Sequence, residues 1–381
     1  MHAPAKSESH WGDPPWNIDF APPAASVPEE TEFAVIGAGF SGLAAAAWLR
    51  HADPGKSVAV FEEARIGAGA SGRTGGMALA ESAAGDLPEL GDVLAGVEEI
   101  LQALGVECEL SLPSAWEIAR SGKAVLDSPI DWNDSGRLRV TGEVPGGTLN
   151  PGKAVSGLAR AAHGLGARIF EDSRVTKIDW AGRPVLHLDR HDRATVRAGK
   201  ILFATNALSL GLSKIADAEG ARLTLAIATE PLRREALQAL GLAERKPFYT
   251  ADLPYPWGRV CGDNSTVWGG GLVSPANSRD LSSVSIDSPE CVKLLASLEA
   301  RVRGLHPVLK DIRITHRWGG PILFRESWEP VFDWHPRSEK KAIVLGAFAG
   351  HGVMLSSYLG RWAAQVLQGR RELPSWGSLS R

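Results

Sequence analysis

Gly37, Gly39 and Gly42 stand at G-x-G-x-x-G spacing, and Glu62 follows the last of them by about 20 residues. Those residue types at that spacing can hold a dinucleotide. Gly37 permits a tight turn, Gly39 lets a pyrophosphate approach the backbone, and Gly42 lets a helix pack close to a strand. Phe40 and Ser41, inside the spacing, then open a helix whose unpaired N–H groups and positive dipole end face the phosphates. Glu62 sits where a ribose-binding acid belongs. Three glycines at this spacing are weak evidence in a chain with 42 Gly, and a Gly-rich structural turn is the competing reading. The surrounding elements favour the dinucleotide. Phe33 to Ile36 is a short apolar run suited to a strand buried on both faces. Leu43 to Arg50 is Ala-rich, without a breaker, and ends in a basic residue, so it reads as a helix. Val58 to Phe61 is a second buried strand.

Residues 63 to 77 read Glu-Ala-Arg-Ile-Gly-Ala-Gly-Ala-Ser-Gly-Arg-Thr-Gly-Gly-Met. One reading is a flexible connection. The other is a loop whose backbone passes close to a flat ligand, with Ser71 and Arg73 offering polar contacts. Its position directly after a dinucleotide fingerprint favours the second.

Taken together, Gly37-x-Gly39-x-x-Gly42, Glu62 and the loop from Gly67 to Gly76 resemble the FAD-dependent D-amino acid oxidase-like superfamily. That superfamily includes glycine oxidase, sarcosine oxidase and gamma-glutamylputrescine oxidase, and the Gly-Ala-Ser-Gly-Arg-x-Gly-Gly form is most similar to the last branch. The branch commonly has Asn where this chain has Thr74. The resemblance spans roughly residues 30 to 370. It implies FAD contacts at Glu63, Ala70, Ser71, Gly72, Arg73, Thr74, Gly76 and Met77, and an adenine contact through the backbone at Val175. It implies a second flavin strand ending at Ala204-Thr205-Asn206. It also implies a C-terminal flavin motif at Gly346, Gly350-His351-Gly352, Val353 and Met354. A helix N-terminus there would stabilise negative charge on the reduced flavin. Relatives that attach FAD covalently use a Cys in a late motif or a His just after the first flavin loop. No His occurs between His51 and His163, and neither Cys261 nor Cys291 sits in such a motif, so the expected FAD is dissociable.

The expected fold is α/β. A Rossmann-type FAD-binding domain is split along the chain (31–107, 145–215 and 335–375), with an inserted mixed α+β substrate domain (108–144 and 216–334). Residues 1–30 are expected to form an extended arm lying across the first domain, its Trp11, Trp16 and Phe20 plugging grooves. Helical spacing of apolar residues predicts a helix over 86–107. A hairpin is expected over Ala115 to Val125 with its turn at Ser121-Gly122-Lys123. Further expectations are a helix from Ala154 to Leu165, a strand pair at Val185–Leu188 and Ala194–Val196, and a separate strand from Ile201. In the second domain, Leu223–Pro231 and a hairpin of Trp257–Val260 with Thr266–Gly271 are expected strands. Pro289–Leu305 is an expected amphipathic helix with Val292, Leu295, Leu298 and Val302 inward. Ile312–Trp318 and Ala342–Leu345 are the remaining expected strands.

Net charge is -3 with a pI of about 6.4, so nothing points to nucleic acid or an anionic membrane. No segment reaches the roughly 20 apolar residues of a membrane span. Three separated cysteines (Cys108, Cys261, Cys291) lack any C-x-x-C, which argues against zinc and a disulfide framework and suggests a reducing, cytoplasmic location. The ten His have no metal-ligand spacing. Thirteen Trp against three Tyr suit flat or cationic ligands, though core packing accounts for many of them.

By resemblance, the chemistry is oxidation of a C–N bond by hydride transfer to flavin N5, giving an imine that hydrolyses. The neutral amine or amino acid needs orientation and exclusion of water more than a nucleophile. Arg259, Arg317 and Arg325 are candidates to hold a substrate carboxylate, each set against a structural role. Trp257, Trp268, Trp318 and Trp328 are candidates for the pocket wall, set against core packing. His351 is a candidate at the flavin edge or a simple helix cap. Arg317-Trp318-Gly319-Gly320-Pro321 resembles a family segment beside the flavin. Gly258 stands where the branch has an aromatic. The partners expected are a small amine or amino acid and O2 or another electron acceptor. The alternative is a flavin-binding subunit or structural member without turnover.

Overall fold

The first strand, β1 (Glu30–Ile36), forms because Phe33, Ala34, Val35 and Ile36 are all withdrawn from water. A computed structural model describes it together with the rest of residues 10–120, 127–190, 195–215, 218–250, 255–275 and 281–379. The chain divides into two compact units. One comprises Met1–Pro15, Ser111–Thr148 and Arg222–Pro321; the other comprises Trp16–Leu110, Leu149–Ala221 and Ile322–Arg381.

In the second of these units, β1 leads through Gly37–Gly39 into helix α1 (Phe40–Ala52), which buries Leu43, Ala44 to Ala47 and Leu49. The helix ends with Arg50, whose Nε donates to the Leu165 carbonyl at 2.8 Å. β2 (Val58–Phe61) is wholly buried and runs parallel to β1, with Phe33 opposite Val58. On its other side β1 pairs in parallel with Thr195–Phe203. The sheet order is Val331–Trp334, Ala342–Gly346, Thr195–Phe203, β1, β2, Arg168–Phe170, with the antiparallel strands Val185–Asp189 and Arg174–Asp179 extending from Thr195–Phe203. Sequence reading splits Thr195–Phe203 into two strands. The structure makes it one, because its first half pairs with Val185–His187 and its second half with β1 and Ala342–Val344.

Small residues set the helix spacing. A Cβ on Gly42 would lie 2.0 Å from the Gly37 carbonyl oxygen, and one on Gly360 would lie 2.4 Å from the Ser41 carbonyl oxygen. The final helix (Gly352–Leu367) therefore rests directly on the first turn of α1. The helix expected over 86–107 is shorter, Val93–Ala103, since Pro88 and Gly91 interrupt it and Asp92 caps it by accepting from Ala95 N–H. The helix near residue 154 starts earlier, at Pro151, capped by Asn150.

In the other unit, an eight-stranded sheet has the order Ile314–Arg325, Ala218–Thr229, Thr266–Val273, Trp257–Val260, Phe248–Thr250, Ala115–Ala119, Arg137–Val144, Asp131–Asn133. The hairpin of Trp257–Val260 with Thr266–Val273 is present. Ala115–Ala119 instead pairs in parallel with Phe248–Thr250 and antiparallel with Arg137–Val144; its expected turn at 121–123 lies outside the described residues. The core of this unit is a cluster in which Trp132 meets Phe248 edge-on at 4.9 Å and Trp268 at 5.4 Å. Helix Pro289–Leu305 buries Cys291, Leu295, Leu298, Val302 and Leu305. Val292, expected inward, is 52% exposed, because Cys291 takes the inward phase and its neighbour is rotated about 100° away. Asp134 accepts from Arg120 and from Arg301 Nε at 2.9 Å. Burial pushes its carboxyl up, but Arg301 and Arg120 outweigh that and hold it below the usual range. The arm residues His10–Gly12 lie along this unit. Gly12 bridges Trp318, Gly319 N–H donates to the Trp11 carbonyl at 2.7 Å, and the Trp11 indole N–H donates to the Val284 carbonyl at 3.0 Å. Among the described residues no helix is long and apolar enough to cross a membrane.

Two predictions follow from this packing. Gly360→Ala drives a methyl into the Ser41 carbonyl and costs about 1–3 kcal/mol in urea denaturation. Gly304→Ala, with nothing within 4 Å of the added carbon, is neutral or stabilising by up to about 1 kcal/mol. The second concerns His335, which is stacked between Trp180 at 4.6 Å and Phe203 at 5.3 Å. Its Nδ1 accepts from Arg337 N–H, so Nε2 carries the proton toward the Leu212 carbonyl. Burial pushes its pKa down from 6.5 to about 4. The folded state thus favours neutral imidazole. Stability is full above the unfolded pKa and falls as pH drops from about 6.5 toward about 4, by up to about 3 kcal/mol. A melting-temperature series over that range should flatten in His335→Phe.

Candidate functional site

The carboxyl end of β1 builds a backbone cradle. Gly37 has φ +103°, and a Cβ there would lie 2.6 Å from the Ala204 carbonyl oxygen. Only glycine tolerates both constraints. Ala38 N–H donates to Glu62 Oε2 at 2.8 Å, and Ala64 N–H donates to Oε1 at 3.0 Å. Burial pushes the Glu62 carboxyl up, while these two N–H bonds push back. The carboxylate is thereby fixed at the end of β2 before any ligand arrives. Gly39 precedes α1 without a side-chain cap, and the first turn presents N–H groups of the kind that bind phosphate. Ser71 Oγ accepts the Phe40 N–H at 2.9 Å and stands 2.7 Å from where a Gly39 Cβ would lie.

The Gly-rich loop closes over this turn through its backbone. Gly67 N–H donates to the Ala38 carbonyl at 3.0 Å, Gly72 N–H to the Gly67 carbonyl at 3.0 Å, and Arg73 N–H to the Ala70 carbonyl at 3.1 Å. Arg73 Nε donates to the Ala68 carbonyl at 3.0 Å. Thr74 Oγ1 accepts from Gly76 N–H at 3.4 Å, a contact within the loop itself. Gly76 accepts from Leu149 N–H, and Met77 starts a short strand. Glu63 is exposed and pairs with Arg174 at 3.6 Å. Val175 is buried, and two residues before it Ser173 N–H donates to the Glu62 carbonyl at 2.7 Å.

The remaining expected flavin residues come to the same sheet edge. Asn206, at φ 46°, accepts the Ala347 N–H on its Oδ1 at 2.8 Å, and a Gly346 Cβ would lie 3.1 Å from Asn206 Cα. Ala347 and Ala349 hold left-handed φ of 58° and 48°, strain of about 1–2 kcal/mol each at the entry to the last helix. Gly350 is exposed, whereas Val353 and Met354 are buried in that helix. His351 is its N-cap residue but makes no side-chain cap. Its Nδ1 faces the Ala349 carbonyl at 3.4 Å. Burial pushes its pKa down, against that carbonyl and Glu81.

The cradle fits a dinucleotide cofactor. It offers a glycine turn with no room for side chains, an uncapped helix start and a preset carboxylate. It also offers the Thr205 hydroxyl, which is buried with no hydrogen-bond partner among the described residues. Residues 32–366 match the family described as FAD dependent oxidoreductase (DAO). The chain belongs to that family. FAD is accordingly its cofactor, and its fold is that of the family's enzymes, a Rossmann-type FAD domain with a substrate domain. Among relatives, gamma-glutamylputrescine oxidoreductase of Escherichia coli (strain K12) is 26% identical over 89% of this chain and 84% of that protein. The probable oxidoreductase OrdL of Haemophilus influenzae is 25% identical over 93% and 87%. Two solved structures share the fold. L-proline dehydrogenase from P. horikoshii has a TM-score of 0.71 at 18% identity, covering 93% of this chain and 98% of that one. Glycine oxidase from Geobacillus kaustophilus has a TM-score of 0.70 at 17% identity, covering 93% and 99%.

The other candidates lie in the other unit. Arg259 is 5% exposed and opposes Val267 in the sheet. Arg317 is exposed, with Nε 2.5 Å from Glu299 Oε1. Trp318 is fully buried, and Trp268 belongs to the aromatic core. Trp257 is half-buried over Gly269. A Gly258 Cβ would lie 2.6 Å from the Phe248 ring, so the space of the branch's aromatic is filled by Phe248. In the FAD-cradle unit, Arg325 is buried and donates to the Ser378 carbonyl at 2.8 Å, bracing the C-terminal tail. Trp328 there is 50% exposed and packs edge-on against Phe324.

Two supports escape sequence reasoning. Glu171 accepts from Ile66 N–H and Arg65, each at 2.8 Å, and so orients the start of the loop. Its position at the carboxyl end of a parallel strand is the one signal available. Arm residues also brace the loop. The Trp16 indole N–H donates to the Gly72 carbonyl at 2.7 Å, and Ile18 fills the space beside Gly67 and Gly72. Asp19 N–H donates to Ser156 Oγ at 2.7 Å, and Phe20 packs on His163. Trp16→Phe removes one hydrogen bond of about 1 kcal/mol, so amide exchange over residues 67–73 should quicken roughly five-fold while the β1 amides keep their protection.

Proposed function

We propose that this chain oxidises the C–N bond of an amine or amino acid, turning a CH–NH or CH–NH2 group into an imine that water hydrolyses. The cradle around Gly37, Gly39, Gly42 and Glu62, preset by the Ala38 and Ala64 N–H groups, is the observation that carries the reading. The amine class is supported by what the relatives are named for: gamma-glutamylputrescine, L-proline and glycine.

Dissociable FAD supplies the hydride acceptor. Phe40, Ser41 and the loop from Ala70 to Met77 hold its phosphates and ring edge, and Glu62 accepts from its ribose hydroxyls. Thr205 gives its hydroxyl a partner in the same ligand. The N-terminal turn of the last helix, from Gly350 to Met354, presents positive dipole to the ring. His351, kept neutral by burial, is suited to accept or donate a hydrogen bond at the ring edge rather than to carry charge. For a substrate carboxylate, buried Arg259 is the better holder, since Arg317 is exposed and engaged by Glu299. Trp318 serves as wall and not as contact donor. The electron acceptor is O2 or another oxidant. A cytoplasmic location is part of the same reading, supported by three cysteines that are all free thiols.

The test is the visible spectrum of the purified protein followed by anaerobic titration with amines and amino acids. Flavin absorbance near about 450 nm that bleaches with one class of compound supports the reading; re-admitted air then separates oxidase from dehydrogenase. A flavin that no amine reduces would count for the subunit without turnover. Glu62→Ala should weaken FAD binding by about 10- to 100-fold, since it removes hydrogen bonds to a charged acceptor. Fluorescence titration of the apoprotein would read this directly.

A further inference from the structure

The eight-stranded sheet has two unlike faces. Register places Trp116, Phe248, Gly258, Trp268 and Ile227 in one row across five strands. That row is buried in the aromatic core, and Leu298 of helix Pro289–Leu305 approaches the same face at Gly270. One residue along each strand, the opposite face carries Gly142, Glu117, Tyr249, Trp257, Gly269 and Ala226 in a single row.

We propose that this row binds an ammonium group of the substrate, other than the nitrogen that is oxidised. Glu117, Tyr249 and Trp257 sit on adjacent strands, so their side chains start within about 10 Å of one another. All three are half-buried. The Tyr249 hydroxyl donates to Glu117 Oε1 at 3.2 Å and orients the carboxylate. No basic side chain pairs with Glu117 among the described residues. On the neighbouring strands, by contrast, Asp131 holds Arg137 and Glu143 holds Lys246. Both ends of the row are cleared. A Gly142 Cβ would lie 2.8 Å from Glu117 Oε2, and a Gly269 Cβ would lie 1.9 Å from the Trp257 ring. Glycine at 269 therefore lets the indole lie flat on the sheet with its other face outward.

A half-buried carboxylate beside two aromatic faces stabilises a cation through Coulomb attraction and the ring quadrupole. It would keep a bound amine protonated. The reacting amine must be neutral, so a site of this kind holds a second nitrogen. The inference rests on the amine reading above and narrows it to substrates with two amino groups, such as α,ω-diamines and their N-substituted derivatives.

The experiment uses the FAD-loaded enzyme and butane-1,4-bis(trimethylammonium), which has no nitrogen lone pair and is not turned over. Calorimetry should show binding to the wild type that weakens with added salt. In Glu117→Gln binding should be about ten-fold weaker and nearly salt-independent, and in Trp257→Leu about three-fold weaker. In parallel, Glu117→Gln should raise KM for a diamine without changing kcat, and leave a monoamine of equal length unaffected. Failure of any amine to reduce the wild-type flavin would overturn the amine reading while calorimetry still reads the cation site. No binding by the wild type, or equal binding by Glu117→Gln with normal flavin content, would overturn the cation site itself. If Glu117→Gln loses FAD, Trp257→Leu decides: unchanged affinity counts against the site.

Discussion

The close approach of backbone to backbone at Gly37, Gly42 and Gly360 is the constraint on which the cofactor-binding unit depends. Gly42 lets α1 start against the Gly37 carbonyl, and Gly360 lets the last helix lie on Ser41. Two helices far apart in sequence thus share the turn that presents α1's N-terminal N–H groups. Any side chain at these points would push the helices outward and move those groups away from a bound phosphate. The chain's first and last thirds are joined here by the absence of side chains, and the Ala-rich face of α1 continues the close packing.

Around that turn, polar atoms are satisfied in advance by groups that do not compete for the ligand. Glu62 takes N–H groups from Ala38 and Ala64, and Glu171 takes that of Ile66. Trp16 holds the Gly72 carbonyl. The loop is rich in glycine and pays a large entropy cost on ordering; the arm and Glu171 supply the contacts that offset it. Thr205 stands apart, its hydroxyl buried without a partner, which is the condition expected of a group reserved for a ligand. Strain at Ala347 and Ala349 lies on the same sheet edge, where functional sites often hold it.

In the other unit the aromatic core does comparable work. Trp132, Phe248 and Trp268 fill one face of the sheet so fully that position 258 has room only for glycine. With the apolar demand met on that face, the opposite face is free to carry Glu117, Tyr249 and Trp257. The two faces are linked by strand alternation. A one-residue slip in register would bury the carboxylate and expose the core.

The sequence by itself determined the dinucleotide cradle, because strand, glycine turn, helix, second strand and Glu62 are contiguous and each is dictated by local spacing. It also determined the terminal strand and helix around Gly350–Gly352, and with them the family and its cofactor. Tertiary structure alone decided what depends on distant partners. Thr195–Phe203 is one strand because three neighbours pair along it, and Val292 faces outward because Cys291 fixes the phase of its helix. Glu171, Trp16 and Ile18 support the loop from residues up to about a hundred positions away, a coupling no local pattern encodes. Glu117 gains meaning only when register sets it beside Tyr249 and Trp257. Hydrogen bonding within a turn is legible from residue type, whereas cross-strand neighbours are chosen by the whole sheet.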